Sequence, residues 1–386
     1  MNNFQFMNPT KIIFGKGQIE KLPQEIPTGS KVLVVYGGGS IKKSGLLDAV
    51  KDVLKAYELG EFGGIEPNPT YETLMRAVEV IRKENYNFLL AVGGGSVIDG
   101  TKFIAAAVPF TQDDPWKIIV EGLPIQQALP FGTVLTLPAT GSEMNNGAVI
   151  TRKALQAKLP FMHPSVFPKF SILDPIYTYT LPEKQIANGV VDAFIHVMEQ
   201  YMTYPVAGKV QDRFSEGLLL TLIEEGPKAL ENQENYDVRA NIMWTATLAL
   251  NGLIGSGVPQ DWSTHMVGHE ITALYGLDHA QTLAIVLPSM LEVMKEEKAA
   301  KLLQYSERIW NITGNLPTSE KMMLAIEKTR NFFEIMGVKT RFSDYGLGKD
   351  VIEKIIANLE AHGMVKLGEQ GAITPNIVRK VLELSL

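Results

Sequence analysis

Four short runs of apolar residues recur along the first half of the chain, and each ends at small or turn-forming residues. The runs cover Lys31–Tyr36, residues 88–92, residues 133–137 and Phe170–Leu173. Short, continuously apolar and β-branched runs are typical of strands buried on both faces of a sheet. Because helical patterns at residues 46–57 and 71–83 lie between them, the alternation predicts a parallel sheet with helices on both faces.

The pattern changes after Leu181 and Pro182. Helical periodicities follow at residues 183–201, 211–229, 238–253 and 261–274, and strand patterns nearly vanish. We therefore predict two domains, an α/β domain over residues 1–178 and an all-helical domain over residues 179–386. The length of 386 residues is sufficient for two hydrophobic cores.

The tetrapeptide Gly-Gly-Gly-Ser occurs at residues 37–40 and again at residues 93–96, each time directly after a predicted strand. Glycine lets the backbone approach a phosphate closely, and the N-terminus of a following helix offers free N–H groups. Each loop alone is equally consistent with a tight turn, but two loops at the strand ends of one sheet indicate a dinucleotide site. The spacing of Ser96 and Asp99 resembles a capping box and predicts a helix start. The candidate cofactor-binding residues here are Gly37, Gly38, Ser40, Gly94, Gly95, Ser96 and Asp99.

A third loop, Pro-Ala-Thr-Gly-Ser-Glu at residues 138–143, follows the apolar run at residues 133–137. The hydroxyl groups of Thr140 and Ser142 suit a hydrogen bond to a nicotinamide amide or to a phosphate. Both residues join the candidate cofactor site.

The first glycine loop bears on the choice of dinucleotide. An NAD site usually has a carboxylate that binds the ribose 2′-hydroxyl, whereas the 2′-phosphate of NADP requires that negative charge to be absent. Ser40, Lys42 and Lys43 follow Tyr36, and no acidic residue occurs before Asp48. The loop therefore favours NADP, the alternative being a solvated basic turn.

Histidine is concentrated in one part of the second half. The chain has six histidines and no cysteine, so a metal ion must be held by His, Asp or Glu side chains. Asp192 and His196 are spaced i, i+4 on a predicted helix, and so are His265 and His269, while His279 follows a turn. Imidazole and carboxylate ligands suit Zn²⁺ or Fe²⁺, and also Ni²⁺ or Co²⁺. The spacing leaves five candidate ligands, any of which taken singly is also consistent with a structural role.

Taken together, these residues resemble the iron-activated (group III) alcohol dehydrogenase family, in particular its NADP-dependent aldehyde reductases and butanol dehydrogenases. The resemblance spans essentially the whole chain. It is carried by Glu66-Pro67-Asn68-Pro69, by residues 93–96 with Asp99 and Lys102, by Thr140-Gly141-Ser142-Glu143, and by Asp192, His196, His265, His269 and His279. Three features differ from many members. The first glycine loop, at residues 37–40, lacks the Asp of many NAD-using members, as in the NADP-using branch. The loop at residues 138–143 is shorter, and Ala280 rather than glycine follows His279.

The resemblance implies a Rossmann-like dinucleotide-binding domain, an all-helical metal-binding domain and a cleft between them, the architecture of dehydroquinate synthase. It implies one divalent ion, Zn²⁺ or Fe²⁺, held by Asp192, His196, His265 and His279. It implies that His269 lies near the nicotinamide without binding the metal, which allows it a part in proton transfer. It further implies cofactor contacts at Asn68, Thr136, Thr140, Asn145 and Lys158.

The expected function is NADP(H)-dependent reduction of aldehydes to alcohols, and the reverse oxidation, by hydride transfer with a divalent metal polarising the substrate oxygen. The alternatives are a metal-dependent cyclase, a polyol dehydrogenase such as glycerol dehydrogenase, and a non-enzymatic nucleotide-binding sensor domain. The net charge of −6 does not favour nucleic acid or a membrane surface as a partner. We find no signal-peptide pattern and no apolar run of membrane-spanning length, and we expect a cytoplasmic protein. The resemblance also makes a homodimer the expected assembly.

Overall fold

The computed structural model describes residues 1–386, and the chain forms two compact units. The α/β unit consists of residues 7–181 together with residues 233–247. The helical unit consists of residues 1–6, 182–232 and 248–386. The domain boundary after residue 178 stays a prediction. The compact units do not correspond to one cut at that point, because residues 1–6 belong to the helical unit and residues 233–247 belong to the α/β unit.

A six-stranded, all-parallel sheet forms the centre of the α/β unit, in the order β1-β8-β5-β4-β2-β3. The four predicted strands are confirmed, two of them with extended ends, and β1, β3 and an antiparallel β6–β7 hairpin join them. The strands are β1 Lys11–Phe14, β2 Lys31–Tyr36, β3 Glu58–Phe62, β4 Phe88–Gly94, β5 Phe131–Leu137, β6 Gly147–Arg152, β7 Ala157–Met162 and β8 Phe170–Leu173.

Helices cover both faces of this sheet because alternate strand residues point to opposite sides. The helices are α1 Leu22–Glu25, α2 Ser40–Lys43, α3 Leu46–Val53, α4 Tyr71–Glu84, α5 Gly95–Ala107 and α6 Lys117–Val120. Val32 and Val34 belong to a core that includes residues of α3, whereas Leu33 and Val35 belong to a core that includes residues of α4 and α5. The sheet is therefore buried on both sides, as its continuously apolar strands predict.

The strand order changes direction between β2 and β4. After β2 the chain continues through α2 and α3 to β3 on one side, and after β4 it continues through α5 to β5 on the other. Strands β2 and β4 are direct neighbours, with Val34 paired to Leu90. In open parallel sheets, ligands bind at the carboxyl ends of the strands where the order changes direction in this way. Both glycine loops begin at this point.

The helical unit contains no named strand. Its helices are α7 Glu183–Tyr201, α8 Lys209–Glu231, α10 Ser263–Tyr275, α11 His279–Val293, α12 Ala299–Arg308, α13 Thr318–Ile335, α14 Val351–Ala361 and α15 Pro375–Leu384, and most of α9 (Tyr236–Ala249) belongs to the α/β unit. Helix α7 packs against α8 and α11, and α10 packs against α11. No helix of the protein combines the length and the apolar character needed to cross a membrane.

A candidate metal centre and a candidate dinucleotide site

Helix α7 supplies the first two residues of a buried polar cluster. Asp192 and His196 lie one turn apart on it, and each is about 3% exposed. His265 lies in the first turn of α10 and is 5% exposed, while His279 is the first residue of α11. His279, which was predicted to follow a turn, is thus the first residue of a helix. The side chains of the four residues come from three helices and lie close together.

The geometry of the four side chains is that of a coordination site. The Nε2 atoms of His196 and His279 each lie 3.6 Å from Oδ1 of Asp192, and Nε2 of His265 lies 4.0 Å from the same oxygen. One potential ligand atom from each of the four residues lies within 4.8 Å of the other three. Ligands bound to Zn²⁺ at their usual distances are about 3.4 Å apart in a tetrahedron. Three imidazoles and one carboxylate at this spacing therefore fit a divalent first-row metal ion, toward which the four side chains would move slightly closer together.

His269 lies beside the cluster but is not one of the four. Its ring centroid is 5.3 Å from that of His279 and 6.2 Å from that of His265, and it is 2% exposed. The structure thus separates the five histidine and aspartate candidates into a set of four and a neighbouring imidazole.

The N-terminus of α11, which carries His279, is tied to α7. Asp278 caps α11 in a capping box with Gln281. The Asp278 carboxylate also accepts a hydrogen bond from Asn188 (3.0 Å) and forms an ion pair with Lys184 (2.8 Å), both on α7. His279 is therefore positioned relative to Asp192 and His196 by contacts that sequence inspection did not identify.

Glu199 is the second residue that sequence inspection missed. It lies on α7 at i+7 from Asp192 and i+3 from His196, so it shares their helix face. Its carboxylate contacts Nδ1 of His265 and accepts the backbone N–H of Thr264 at 2.7 Å. Burial is the main cause that raises the pKa of the Glu199 carboxyl well above its usual value, and the nearby Asp261 carboxylate raises it further. The i, i+4, i+7 spacing of three polar residues on a buried helix was the available signal.

In the α/β unit, the second glycine loop ends directly at the N-terminus of α5. Gly94 is the residue before this helix and Gly95 is its first residue, and no side chain caps the helix. A Cβ atom on Gly95 would lie 2.4 Å from Oγ1 of Thr140, so the loop at residues 138–143 packs too closely for any larger residue. The N–H groups at the start of α5 have no side-chain cap, and the glycines beside them have no side chain to block a ligand. This arrangement suits the binding of a phosphate.

The capping box predicted for Ser96 and Asp99 is wrong. The Ser96 hydroxyl instead accepts the N–H of Asn68 (3.3 Å), and the Asp99 carboxylate accepts hydrogen bonds from the Ser142 hydroxyl (2.6 Å) and the Val149 N–H (2.9 Å). Both side chains hold neighbouring segments rather than the first turn of α5, because these long-range partners compete for the same oxygen atoms.

Lys102 lies at the centre of this buried network. Its ammonium group donates to the Ser142 hydroxyl (2.8 Å), to Oδ1 of Asn145 (2.8 Å) and to the carbonyl of Gly147 (2.7 Å). Burial lowers the pKa of Lys102 to about 8, although the Asp99 and Glu143 carboxylates oppose the shift. The lysine thus fixes residues 142–147, the segment that carries Ser142 and Asn145 of the predicted cofactor site.

The other predicted cofactor residues lie at three places in the α/β unit. Lys158 on β7 donates to Oδ1 of Asn68 at 2.8 Å, so these two are brought together. Thr136 is half-buried near the carboxyl end of β5, the strand that precedes Thr140. Gly37, Gly38 and Ser40 lie at the end of β2, where Gly38 and Ser40 are exposed.

The fold places a carboxylate near the first glycine loop that the local sequence does not reveal. Lys42 Nζ lies 3.6 Å from Oε2 of Glu61 on β3, and it lies over the Tyr36 ring. The Tyr36 hydroxyl donates to the same carboxylate at 3.0 Å, and Lys51 forms an ion pair with it. Lys42 and Lys51 offset the negative charge of Glu61, and Glu61 in turn offsets part of the positive charge that Lys42 brings to the loop.

Comparison with known protein families identifies both halves of the chain. Residues 9–175 match the family described as iron-containing alcohol dehydrogenase. Residues 186–381 match the C-terminal region of the Fe-containing alcohol dehydrogenase family. This chain belongs to the iron-containing alcohol dehydrogenase family. The resemblance inferred from the glycine and histidine motifs is therefore confirmed, and so is the fold of a parallel α/β region followed by a helical region.

Individual members of the family are similar over the full length. The chain is 60% identical to the NADPH-dependent aldehyde reductase YqhD of Escherichia coli (strain K12), over 99% of both chains. It is 42% identical to a probable NADH-dependent butanol dehydrogenase 1 of Bacillus subtilis (strain 168), over 100% of both chains. Among solved structures, E. coli K-12 YqhD superposes with a TM-score of 0.98 at 59% identity, covering 100% of this chain and 99% of the other. NADH-dependent butanol dehydrogenase A of Thermotoga maritima superposes with a TM-score of 0.95 at 36% identity, with coverage of 100% and 99%.

Proposed function

We propose that this protein is an NADP(H)-dependent aldehyde reductase that also catalyses the reverse oxidation of alcohols. The observation that carries the proposal is the convergence of Asp192, His196, His265 and His279 in a member of the iron-containing alcohol dehydrogenase family. The 60% identity to an NADPH-dependent aldehyde reductase supports the reaction and the direction. Family membership favours this oxidoreductase over the cyclase and the sensor domain.

The four clustered side chains would hold one divalent ion, Zn²⁺ or Fe²⁺. When bound, such an ion supplies a Lewis acid that polarises the carbonyl oxygen of an aldehyde. Asp192 contributes one negative charge and the three neutral imidazoles contribute none, so the ligand set leaves positive charge for the substrate. His269, buried beside His279, is the side chain we assign to handling the proton that converts the alkoxide to the alcohol.

The glycine loops would hold the dinucleotide through backbone atoms. Uncapped N–H groups at the start of α5 and the bare backbone of Gly94 and Gly95 suit the pyrophosphate. We assign Asn68, Ser96, Asp99, Thr136, Thr140, Ser142, Asn145 and Lys158 to the wall of this site, some through direct contacts and Asp99 and Ser142 through the network around Lys102.

The choice of NADP over NAD rests on the first glycine loop. Ser40 is exposed there, and Lys42 and Lys43 supply positive charge suited to a 2′-phosphate. The chain is similar to an NADPH-dependent relative and also to one named as NADH-dependent. The proposal therefore rests on these loop residues rather than on overall similarity. If kcat/KM with NADH equals that with NADPH, this part of the proposal fails.

The assembly and location are proposed as a homodimer in the cytoplasm. Strand β1 is an edge of the sheet, where the unpaired backbone and the partly exposed Phe14 suit pairing with a second copy. A chain without cysteine gains no disulfide from an oxidising compartment, which favours the cytoplasm. Light scattering on the purified protein and fractionation of cells that produce it test the two statements.

The experiment that tests the function combines elemental analysis with an aldehyde assay. Purified protein should contain a divalent metal and should oxidise NADPH in the presence of butanal. The loss of the reduced-nicotinamide absorbance measures this oxidation. Protein that contains metal but oxidises no NADPH would favour the cyclase. Protein that binds NADPH but contains no metal would favour the sensor domain.

A further inference from the structure

Glu199 is a buried carboxylate that directly contacts His265, a side chain of the proposed metal centre, without belonging to the set of four. It is 3% exposed, and one of its oxygens accepts the Thr264 N–H at 2.7 Å. Its other oxygen contacts Nδ1 of His265. The Nε2 atom of the same imidazole, on the opposite side of the ring, lies 4.0 Å from Oδ1 of Asp192.

We propose that Glu199 is a positioning residue of the metal centre, which acts by holding His265 in the tautomer that ligates through Nε2. When ionised, the Glu199 carboxylate can only accept hydrogen bonds, and its contact with Nδ1 then places the His265 proton on Nδ1. The unprotonated Nε2 then carries the lone pair that a metal ion needs. A carboxylate that accepts from a ligating histidine also orients the ring and raises its basicity. This inference rests on the proposed function, because it assumes that His265 binds metal.

A second group of contacts holds Glu199 and His265 in register. The buried ammonium of Lys298 donates to Oδ2 of Asp261 and to the carbonyl of Met202, both at 2.7 Å. Asp261 in turn donates its N–H to the carbonyl of Glu199 (2.9 Å) and accepts the N–H of Ser263 (2.9 Å). The end of α7 and the start of α10 are therefore joined at several points, so the contact between Glu199 and His265 is fixed by the backbone on both sides.

The charge of Lys298 also compensates Asp261 next to Glu199. Lys298 lies 2.7 Å from Asp261 and 3.2 Å from Glu369, and all three side chains are under 10% exposed. Without the lysine, the carboxylates of Asp261 and Glu199 would repel each other in a region of low dielectric constant. The ion pair between Lys298 and Asp261 therefore reduces the electrostatic repulsion between Asp261 and Glu199.

A plain structural role for Glu199 makes a different prediction from the positioning role. As a cap of α10 it needs only to accept hydrogen bonds from the start of that helix, chiefly the Thr264 N–H, and the amide oxygen of glutamine can still accept them. As a positioning residue it must also accept from Nδ1 of His265. In Glu199→Gln, the NH₂ group beside Nδ1 can only donate, which favours the tautomer protonated on Nε2 and unable to ligate there.

The test is the affinity of the full-length protein for Zn²⁺, measured by competition with a chromophoric chelator in the wild type, Glu199→Gln and Glu216→Gln. Glu216 is the matched control because it is a buried, hydrogen-bonded carboxylate of the same unit, on α8, that contacts no residue of the cluster. We expect Glu199→Gln to lower the Zn²⁺ affinity about 10- to 100-fold and Glu216→Gln to leave it within about twofold. Thermal unfolding of the metal-free proteins should show both variants folded.

The outcomes separate the two proposals. If the wild type binds no Zn²⁺, the metal centre itself is refuted and this inference with it. If the wild type binds Zn²⁺ and Glu199→Gln binds it equally well, the positioning role alone is refuted. Should Glu199→Gln fail to fold, ¹⁵N spectra of the Zn²⁺-loaded wild type, labelled at histidine, decide the matter. A His265 signal with a proton on Nδ1 and the metal on Nε2 supports the role, and metal on Nδ1 overturns it.

Discussion

The two candidate sites of this protein are made from different parts of the chain. The metal centre consists of side chains that are nearly all buried and that come from α7, α10 and α11. The dinucleotide site consists largely of backbone at the ends of β2 and β4, with exposed residues such as Gly38 and Ser40. A site made of side chains depends on a few ligand atoms. A site made of backbone depends on the room that glycine leaves for the ligand and on the free N–H groups at a helix N-terminus. Single substitutions should therefore affect the two sites in different ways.

The largest effect is expected at the metal centre. His265→Ala removes one of four converging ligand atoms, and we expect the turnover of butanal to fall by about 1,000-fold or more, since Lewis-acid stabilisation is worth several kcal/mol. His163→Ala is the matched control, because His163 lies in the α/β unit outside the cluster and should leave turnover unchanged. Measured kcat values for both variants check the prediction. A His265→Ala enzyme with wild-type kcat and no bound metal would refute the ligand assignment.

The next effect concerns the buried lysine behind the dinucleotide site. The pKa of Lys102 is about 8 in the folded protein and 10.5 as its ordinary value, so the unfolded chain binds more protons between these two pH values. Lys102 therefore contributes a rise in stability as pH increases from 8 to 10.5, of about 3 kcal/mol. We expect the difference in free energy of unfolding between wild type and Lys102→Met to grow by that order across this window.

Denaturant titrations at several pH values measure this difference, with Lys55→Met, an exposed lysine of the same unit, as the control. A constant difference between wild type and Lys102→Met would contradict the proposed cost of burying the charged ammonium.

A glycine substitution at the start of α5 should weaken dinucleotide binding. A methyl group on Gly95 would overlap with Thr140, whose Oγ1 lies 2.4 Å from the Cβ position. Overpacking of this kind costs about 1–3 kcal/mol, and because the displaced loop forms part of the proposed site, Gly95→Ala should weaken NADPH binding about 5- to 150-fold. Gly217→Ala on α8, where a Cβ meets nothing within 4 Å, should leave NADPH binding unchanged. Fluorescence titration with NADPH compares them, and equal affinities would argue against close packing around the cofactor.

The smallest effect is expected at the exposed first glycine loop. Ser40→Asp adds a negative charge at the position assigned to the 2′-phosphate, and because Ser40 is exposed we expect about a tenfold loss of kcat/KM with NADPH. The same change should leave kcat/KM with NADH nearly constant, since NADH lacks that phosphate. Ser40→Asn is the control of similar shape without the charge. Parallel losses with both cofactors in Ser40→Asp would place the 2′-phosphate elsewhere.

The fold was predictable from the sequence where strands are buried on both faces. Strands β2 and β8 have the predicted bounds because they are continuously apolar and end at turn residues. Strand β3 was missed because it carries Glu58, Gly60 and Glu61 at the sheet edge. Strand β7 was missed because it contains Lys158 and Pro160, and its hydrogen-bonded partner is the hairpin strand β6. Polar edge strands and hairpins depend on partners that a local pattern does not reveal.

The sites show the same division. The clustering of Asp192, His196, His265 and His279 could be suspected from spacing and histidine content, because side-chain chemistry is visible in the sequence. Spacing alone could not separate His269 from that set. The partners of these residues could be identified only from the fold. Glu199 contacts His265, which is 66 residues away in sequence, and Glu61 on β3 contacts Lys42 on α2. The capping box predicted from the spacing of Ser96 and Asp99 is wrong because their oxygen atoms accept hydrogen bonds from donors that are distant in sequence.

The central claim is that the metal is held by side chains of the helical unit while the dinucleotide is held by a separate backbone site. Its most direct test is calorimetric titration of chelator-stripped protein, first with Zn²⁺ and, in a second stripped sample, with NADPH. The account predicts that Zn²⁺ binds with a stoichiometry of one ion per chain and that NADPH still binds to the metal-free protein. Failure to bind Zn²⁺, or loss of NADPH binding together with the metal, would contradict it.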